Sequence, residues 1–225
     1  AGVLIVVAAV GLPDVRLPPV ARGHGSYRRL LRSRPFLLFL AAASLVQCSH
    51  AAFYGFATLH WRAAGLGEGI IGLLWAEGVV VEIVLFAFAG AVVRRVGIVP
   101  LLAIGAAAGV VRWLVTGLTT ELWALALIQL LHAATFGCTH LAAMAFLQRA
   151  VPDAISAGAQ ALYSAIAMGA VLALTMMAAG ALYAAVAGQV FLAMAVMTLL
   201  GGGFAGLLAR AWDGNELPVT RQPSA

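Results

Sequence analysis

Six long apolar runs, at 35–60, 69–93, 98–118, 121–147, 156–180 and 189–209, constrain this chain more than any other feature. At about 1.5 Å of helical rise per residue, each covers the roughly 30 Å hydrocarbon core of a bilayer with some tilt. Backbone in lipid must satisfy its own hydrogen bonds, which leaves helices or closed β-barrels. The runs are continuous rather than alternating, which excludes a barrel. Composition agrees, since 64% of the residues are hydrophobic and 9% are charged, against about 25% charged in soluble domains. The expected class is an all-α integral membrane protein in contact with the lipid bilayer.

The chain divides into four parts. Residues 1–13 are apolar but too short to span, lack a basic leader and run into Pro13-Asp14; they read as the end of a truncated preceding transmembrane helix. Residues 14–34 form a basic linker with prolines at 13, 18 and 19 at its start and six arginines. Residues 35–209 are the six-helix bundle. Residues 210–225 are a polar tail, expected to be mobile. The thirteen cations are all arginine. They concentrate in the linker, in Arg94-Arg95, at Arg149, and at Arg210 and Arg221 of the tail; the intervening loops hold only Arg62, against Glu68 and Glu121. By the positive-inside tendency the linker and C-terminus are cytoplasmic, and the plasma membrane, the inner one in a bacterium, is the expected location.

The net charge of +5 forms a topology signal and not a patch, so nucleic acid is not an expected partner. Cys48 and Cys138 lie inside apolar runs with neither a disulfide framework nor metal-ligand spacing. The sequence has no phosphate-cradling glycine loop with a lysine, no G-x-S-x-G and no H-E-x-x-H. Neither an enzyme nor a cofactor is expected, and transport energy would have to come from an ion gradient. Gly202 and Gly206 form a G-x-x-x-G pair read as ordinary helix packing.

Within the runs sit Glu77, Glu82, Arg112 and His132. A charge at membrane depth costs at least about 2.5–3.5 kcal/mol on insertion scales, so such groups face a cavity or a partner. Glu77 and Glu82 are separated by roughly 140° around a helix axis, so both cannot point squarely into one hollow. Glu82, near the bilayer centre, is the favoured proton carrier; Glu77 is a second candidate or a packing group. Arg112, followed by Trp113, suits an anionic substrate, pairing with a second-span Glu, or snorkelling to the interface. In the fourth span Gln129, His132, Phe136, Thr139 and His140 follow helical spacing along one side. Histidine titrates in the physiological range and both donates and accepts, which suits proton relay or substrate binding. Gln47, His50, Tyr54 and Trp61 give the first span a polar and aromatic face, His50 serving a helix contact or a site. Ser156, Gln160, Tyr163 and Ser164 share a face of the fifth span, open to helix packing or substrate binding.

The run from Ile71 to Glu82 (Ile-Gly-Leu-Leu-Trp-Ala-Glu-Gly-Val-Val-Val-Glu) resembles the eighth transmembrane helix of phenylpropionate-permease-like transporters of the major facilitator superfamily. Val111-Arg112-Trp113, the segment Leu131 to Gly137, His140 and the segment Ala159 to Tyr163 match further pieces. Gly90 to Gly97 is similar to a degenerate copy of the superfamily's cytoplasmic loop signature. The resemblance implies a six-helix C-terminal half, helices 7–12, of a twelve-helix proton symporter with alternating access. Its partners would be a small organic solute, protons and the N-terminal six-helix half. Arg112 and His132 are also similar in placement to an Arg and a His of the lactose permease family that take part in proton coupling. Where that family has a Glu three residues after the His, this chain has Thr135, so the acid must come from elsewhere, with Glu82 the leading choice.

The expected function is therefore secondary transport of a solute such as an aromatic carboxylate. Glu82, His132 and Glu77 would serve proton coupling. Arg112, His140, Gln129, Gln160, Tyr163, His50, Tyr54, Trp75 and Phe136 would contact substrate. A sugar or nucleoside symporter is the nearer alternative. Further alternatives are a membrane redox or metal protein with His50, His132 and His140 as ligands, and a scaffold whose polar residues only join helices.

Overall fold

A computed structural model describes residues 24–219. The expected helix end at 1–13, residues 14–23 of the linker and the last six tail residues lie outside that range. Every regular element among the described residues is helical. A short helix, His24–Leu30, leads into the first span, made of Arg34–Cys48 and Ala51–Ala63. Pro35 fits the first turn, where its missing N–H has no helical partner anyway. The second span is Glu68–Ala87, followed by a short helix, Ala89–Val96, and the third span, Ile98–Leu118. Gly65 and Gly97 take φ of 90° and 88° at the ends of the first span and of the short helix, a conformation that glycine adopts without a Cβ clash.

The fourth span comprises Leu122–Gln129, a π-helical turn over Ala133–Cys138, and Thr139–Ala150. The fifth comprises Asp153–Tyr163, a π-helical stretch Ser164–Val171, and Leu172–Val186. The sixth is Val190–Ala211. By length and apolarity five helical stretches qualify to cross a membrane, the last of them extending from Asp153 to Ala211 through a 3-10 turn at Ala187–Gln189. That stretch turns back on itself at Ala187, whose φ of 48° is the only positive value at a non-glycine among the described residues. Tyr183 stacks on Phe56 at 4.7 Å just before the turn, and Phe191 packs on His60 at 5.7 Å just after it. The stretch thus comprises two helical runs, one on each side of that turn.

With no hydrophobic drive between helices in lipid, packing rests on close approach of small residues. A Cβ on Gly201 would lie 2.8 Å from a Val46 methyl and 3.2 Å from the Ala42 carbonyl oxygen, and one on Gly109 would lie 2.5 Å from the Thr198 methyl. The sixth span therefore seats against the first and third through Gly201 and Gly109. Of the G-x-x-x-G pair read from sequence, Gly202 meets Ala106, while Gly206 faces open space.

Two apolar clusters fill the bundle. One gathers Phe36, Phe39, Phe146 and Tyr163 at the linker end; the other gathers Phe53, Trp61, Trp113 and Phe191 at the far end. Between them lies a buried polar layer that includes Gln47, His50, Arg112, Gln129, His132 and Thr135.

The tail corrects an expectation. Residues 212–219 are not loose: Trp212 packs on Phe146 at 4.7 Å, Leu217 N–H donates to the Ala150 carbonyl at 2.8 Å, and Leu217 and Val219 are buried. Arg29 Nε, in the helix before the first span, donates to the Val219 carbonyl at 2.6 Å. Two apolar side chains spaced by Pro218 suffice to dock an otherwise polar segment.

Candidate functional site

The helices are interrupted where the polar layer sits. The first span breaks at Ser49-His50, and Ser49 Oγ donates to the Val46 carbonyl at 2.6 Å while accepting from Trp113 Nε1 at 2.9 Å. The fourth span loosens at Leu130-Leu131 and then widens into its π turn. A π turn takes an extra residue, so side chains beyond it rotate relative to those before it; such turns cluster at functional sites. Along the face expected from Gln129 to His140, Phe136 stacks on His132 at 5.6 Å and on His140 at 6.0 Å, His140 lies against Phe86, and Thr139 is turned toward Gly105.

Arg112 is fully buried at the centre of this layer. Its Nη1 donates to His132 Nδ1 at 2.9 Å and to Thr135 Oγ1 at 3.2 Å. Its Nη2 donates to Gln129 Oε1 at 2.8 Å, and Gln129 Nε2 in turn donates to the Leu74 carbonyl at 2.8 Å, tying the second span to the fourth. The guanidinium carbon lies 4.4 Å from the Phe53 ring centre and 4.8 Å from that of Trp113, two faces that attract a cation through their quadrupoles. Nε has no partner. No carboxylate touches Arg112 among the described residues; every acceptor it has is neutral.

These contacts assign protons. Arginine only donates, so His132 Nδ1 must be bare and the imidazole proton sits on Nε2. That nitrogen faces Glu82 Oε2 at 3.3 Å, within ion-pair reach. Adding a proton to Nδ1 would set donor against donor and break the Arg112 bond. A second arm runs through Thr135, whose Oγ1 lies 3.1 Å from His50 Nε2. His50 Nδ1 lies 3.0 Å from the Gln47 carbonyl and must donate to it, so a neutral His50 accepts the Thr135 hydroxyl proton at Nε2. Hydrogen bonds join His132, Arg112, Thr135 and His50, and Glu82 stands in ion-pair contact at one end.

One face of the network borders a cavity of about 200 Å³. Glu82, His132, Arg112 and Gln129 form its polar wall; Phe53, Tyr54 and Trp75 form an aromatic wall, with Gly78 and Val79 between. Phe53 and Trp75 rings are 4.5 Å apart, and Trp75 Nε1 is anchored on Thr58 Oγ1 at 3.1 Å. A Cβ on Gly78 would stand 3.5 Å from the His132 ring, an ordinary contact distance, so the second span packs directly against that ring.

Of the residues expected at a site, Glu82, His132, Arg112, Gln129, Tyr54 and Trp75 share this cavity. His50 joins through Thr135, and Phe136 stacks on His132 at 5.6 Å from outside. Glu77 is half-buried and away from the hollow. Gln160 reaches only Ser156 Oγ, at 3.4 Å, and Tyr163 is buried against Phe39 in the linker-end cluster. His50 and His132 are edge-on at 5.7 Å, and no group of three His, Cys, Asp or Glu among the described residues is placed to hold a metal ion. Phe53 went unrecognised because a phenylalanine in an apolar run carries no distinguishing signal, and Trp113 was noted only as the neighbour of Arg112. Thr135 did carry one, as a hydroxyl one helical turn beyond His132.

Helices of this length with a buried charge network at mid-depth define an integral membrane protein, and its family follows from comparison. The chain belongs to the major facilitator superfamily: the model of the MFS_1 like family matches residues 14–193. Over 137 residues it is 44% identical to the probable 3-phenylpropionic acid transporter of Escherichia coli (strain K12), a match covering 60% of this chain and 36% of that protein. Over 173 residues it is 29% identical to the maltose permease of Geobacillus stearothermophilus, covering 74% of this chain and 43% of the relative. The chain thus spans less than half the length of these relatives.

Proposed function

We propose that this chain is the C-terminal half of a twelve-helix transporter that couples entry of an aromatic carboxylate to entry of a proton by alternating access. The reading rests on one observation above all: Glu82, His132 and the buried Arg112 meet at one cavity whose other wall is aromatic. A carboxylate entering beside ionised Glu82 would meet a like charge in a poorly screened space. A proton on Glu82 removes that charge and leaves Arg112 to balance the solute, so solute and proton bind as a neutral pair and leave together. Arg112 lines the cavity and has only neutral acceptors, so its charge is the one the anion would balance. The aromatic wall of Tyr54 and Trp75 takes the ring, and a 3-phenylpropionate, the substrate in the name of one relative, has both parts. The N-terminal half closes the other side, as substrate sites of such proteins lie between repeats at the midplane. The linker and tail are cytoplasmic and the membrane is the inner one, as the arginine distribution indicates.

The test uses the full-length protein in liposomes with empty liposomes as the passive background. Saturable uptake of 3-phenylpropionate should rise when an inward proton gradient is imposed, and 3-phenylpropionamide, which keeps the ring but not the charge, should fail to compete. Uptake indifferent to the gradient, or equal competition by the amide, contradicts the reading.

A further inference from the structure

A second cavity, of about 670 Å³, opens at the linker end of the bundle, away from the network around Arg112. Three segments wall it: the end of Ala89–Val96 with the start of the third span, the end of the fourth span, and the docked tail at Trp212–Gly214. The tail wall is held in place. Arg149 Nε donates to the Gly214 carbonyl at 2.6 Å, and Trp212 Nε1 donates to the Asn215 carbonyl at 2.7 Å. Gly214 has φ of 88°, which a side chain there would strain.

The charges in this cavity are not balanced. Arg94 and Arg149 line it, are exposed, and have no carboxylate within ion-pair distance among the described residues. The one acid in the lining, Asp213, is engaged by Asn215, its two oxygens accepting at 3.0 Å from the backbone and side-chain nitrogens, and makes no ion pair with either arginine among the described residues. The Asn215 amide holds this carboxyl below the usual carboxylate range. Beside the guanidiniums the lining is apolar: Val93, Ile98, Val99, Pro100 and Ala145. Two guanidiniums above an aliphatic wall, at the end of membrane-spanning helices, match an anion that carries hydrocarbon.

We infer that this cavity binds the phosphodiester headgroup of an anionic phospholipid, with Arg94 and Arg149 as its donors and the aliphatic wall against its acyl chains. Guanidinium forks suit phosphate oxygens, and each basic residue near a membrane surface adds about 1 kcal/mol of attraction to anionic lipid, roughly fivefold in binding. The binding is independent of the transport reading, since none of these residues borders the cavity around Arg112.

Native mass spectrometry of the purified full-length protein tests it, with phosphatidylglycerol, phosphatidylcholine and inorganic phosphate added in separate arms. Wild type should retain phosphatidylglycerol in preference to phosphatidylcholine and gain nothing from phosphate. In R94Q/R149Q that preference should fall at least about tenfold, while R95Q, which alters a neighbouring arginine outside the lining, should keep it. R94Q alone, which breaks no hydrogen bond among the described residues, should show a smaller loss of about fivefold and guards against misfolding of the double variant. An unchanged preference in R94Q and R94Q/R149Q would overturn the site. Displacement of the lipid by inorganic phosphate would overturn the lipid as its ligand.

Discussion

His132 stands between a cation and an acid, and its two nitrogens have opposite jobs. Nδ1 accepts from Arg112 and Nε2 faces Glu82. The two jobs separate by substitution, because Asn places an acceptor near the position of Nδ1 while Gln reaches that of Nε2. H132N should keep the Arg112 contact and the stability of the fold while losing the link to Glu82. H132Q should leave a buried guanidinium hydrogen without its acceptor, costing about 1–3 kcal/mol. Thermal unfolding of the two full-length variants distinguishes them: H132Q should melt clearly below H132N, and equal melting temperatures would contradict the assigned tautomer. At this scale the sequence was informative where chemistry is rare. Glu82, Arg112 and His132 stand out because charge and imidazole are costly in apolar runs. Phe53, which covers the Arg112 guanidinium, was indistinguishable from the lipid-facing aromatics around it.

Among the elements, the departures from regular helix matter most. The break at Ser49-His50 and the π turn at Ala133–Cys138 bring His50 and Thr135 within 3.1 Å of each other. Neither break contains a proline, the usual sequence mark of a kink, so the run lengths were legible and the interruptions were not. The same holds for packing. A motif search selects Gly202 and Gly206, yet the first span approaches at Gly201, because which glycine faces a neighbour depends on the rotation of the whole helix. Gly201→Leu should drive a side chain into Val46 and the Ala42 backbone and destabilise by about 1–3 kcal/mol, whereas Gly206→Leu, with nothing within 4 Å among the described residues, should leave stability within about 0.5 kcal/mol. Chemical unfolding of the full-length variants in detergent measures the difference, and equal losses would contradict the packing described here.

In the molecule as a whole, the polar layer lies between two apolar clusters, so the charges sit at mid-depth with their own hydrogen-bond partners and one opening to a cavity. The membrane class and helical architecture followed from composition and run length alone, because the bilayer leaves so few alternatives. The docking of residues 212–219 did not, since Leu217 and Val219 are only two apolar residues in a polar tail and their burial depends on surfaces contributed by the fourth span. The central claim is that a proton on Glu82 makes room for an anion beside Arg112. Full-length Glu82→Gln in liposomes tests it most directly, because glutamine copies the protonated carboxyl but can neither lose nor regain a proton. The account predicts that this variant still exchanges 3-phenylpropionate across the membrane, while its accumulation in response to an inward proton gradient falls to the level of empty liposomes. Gradient-driven accumulation that persists in Glu82→Gln would contradict it.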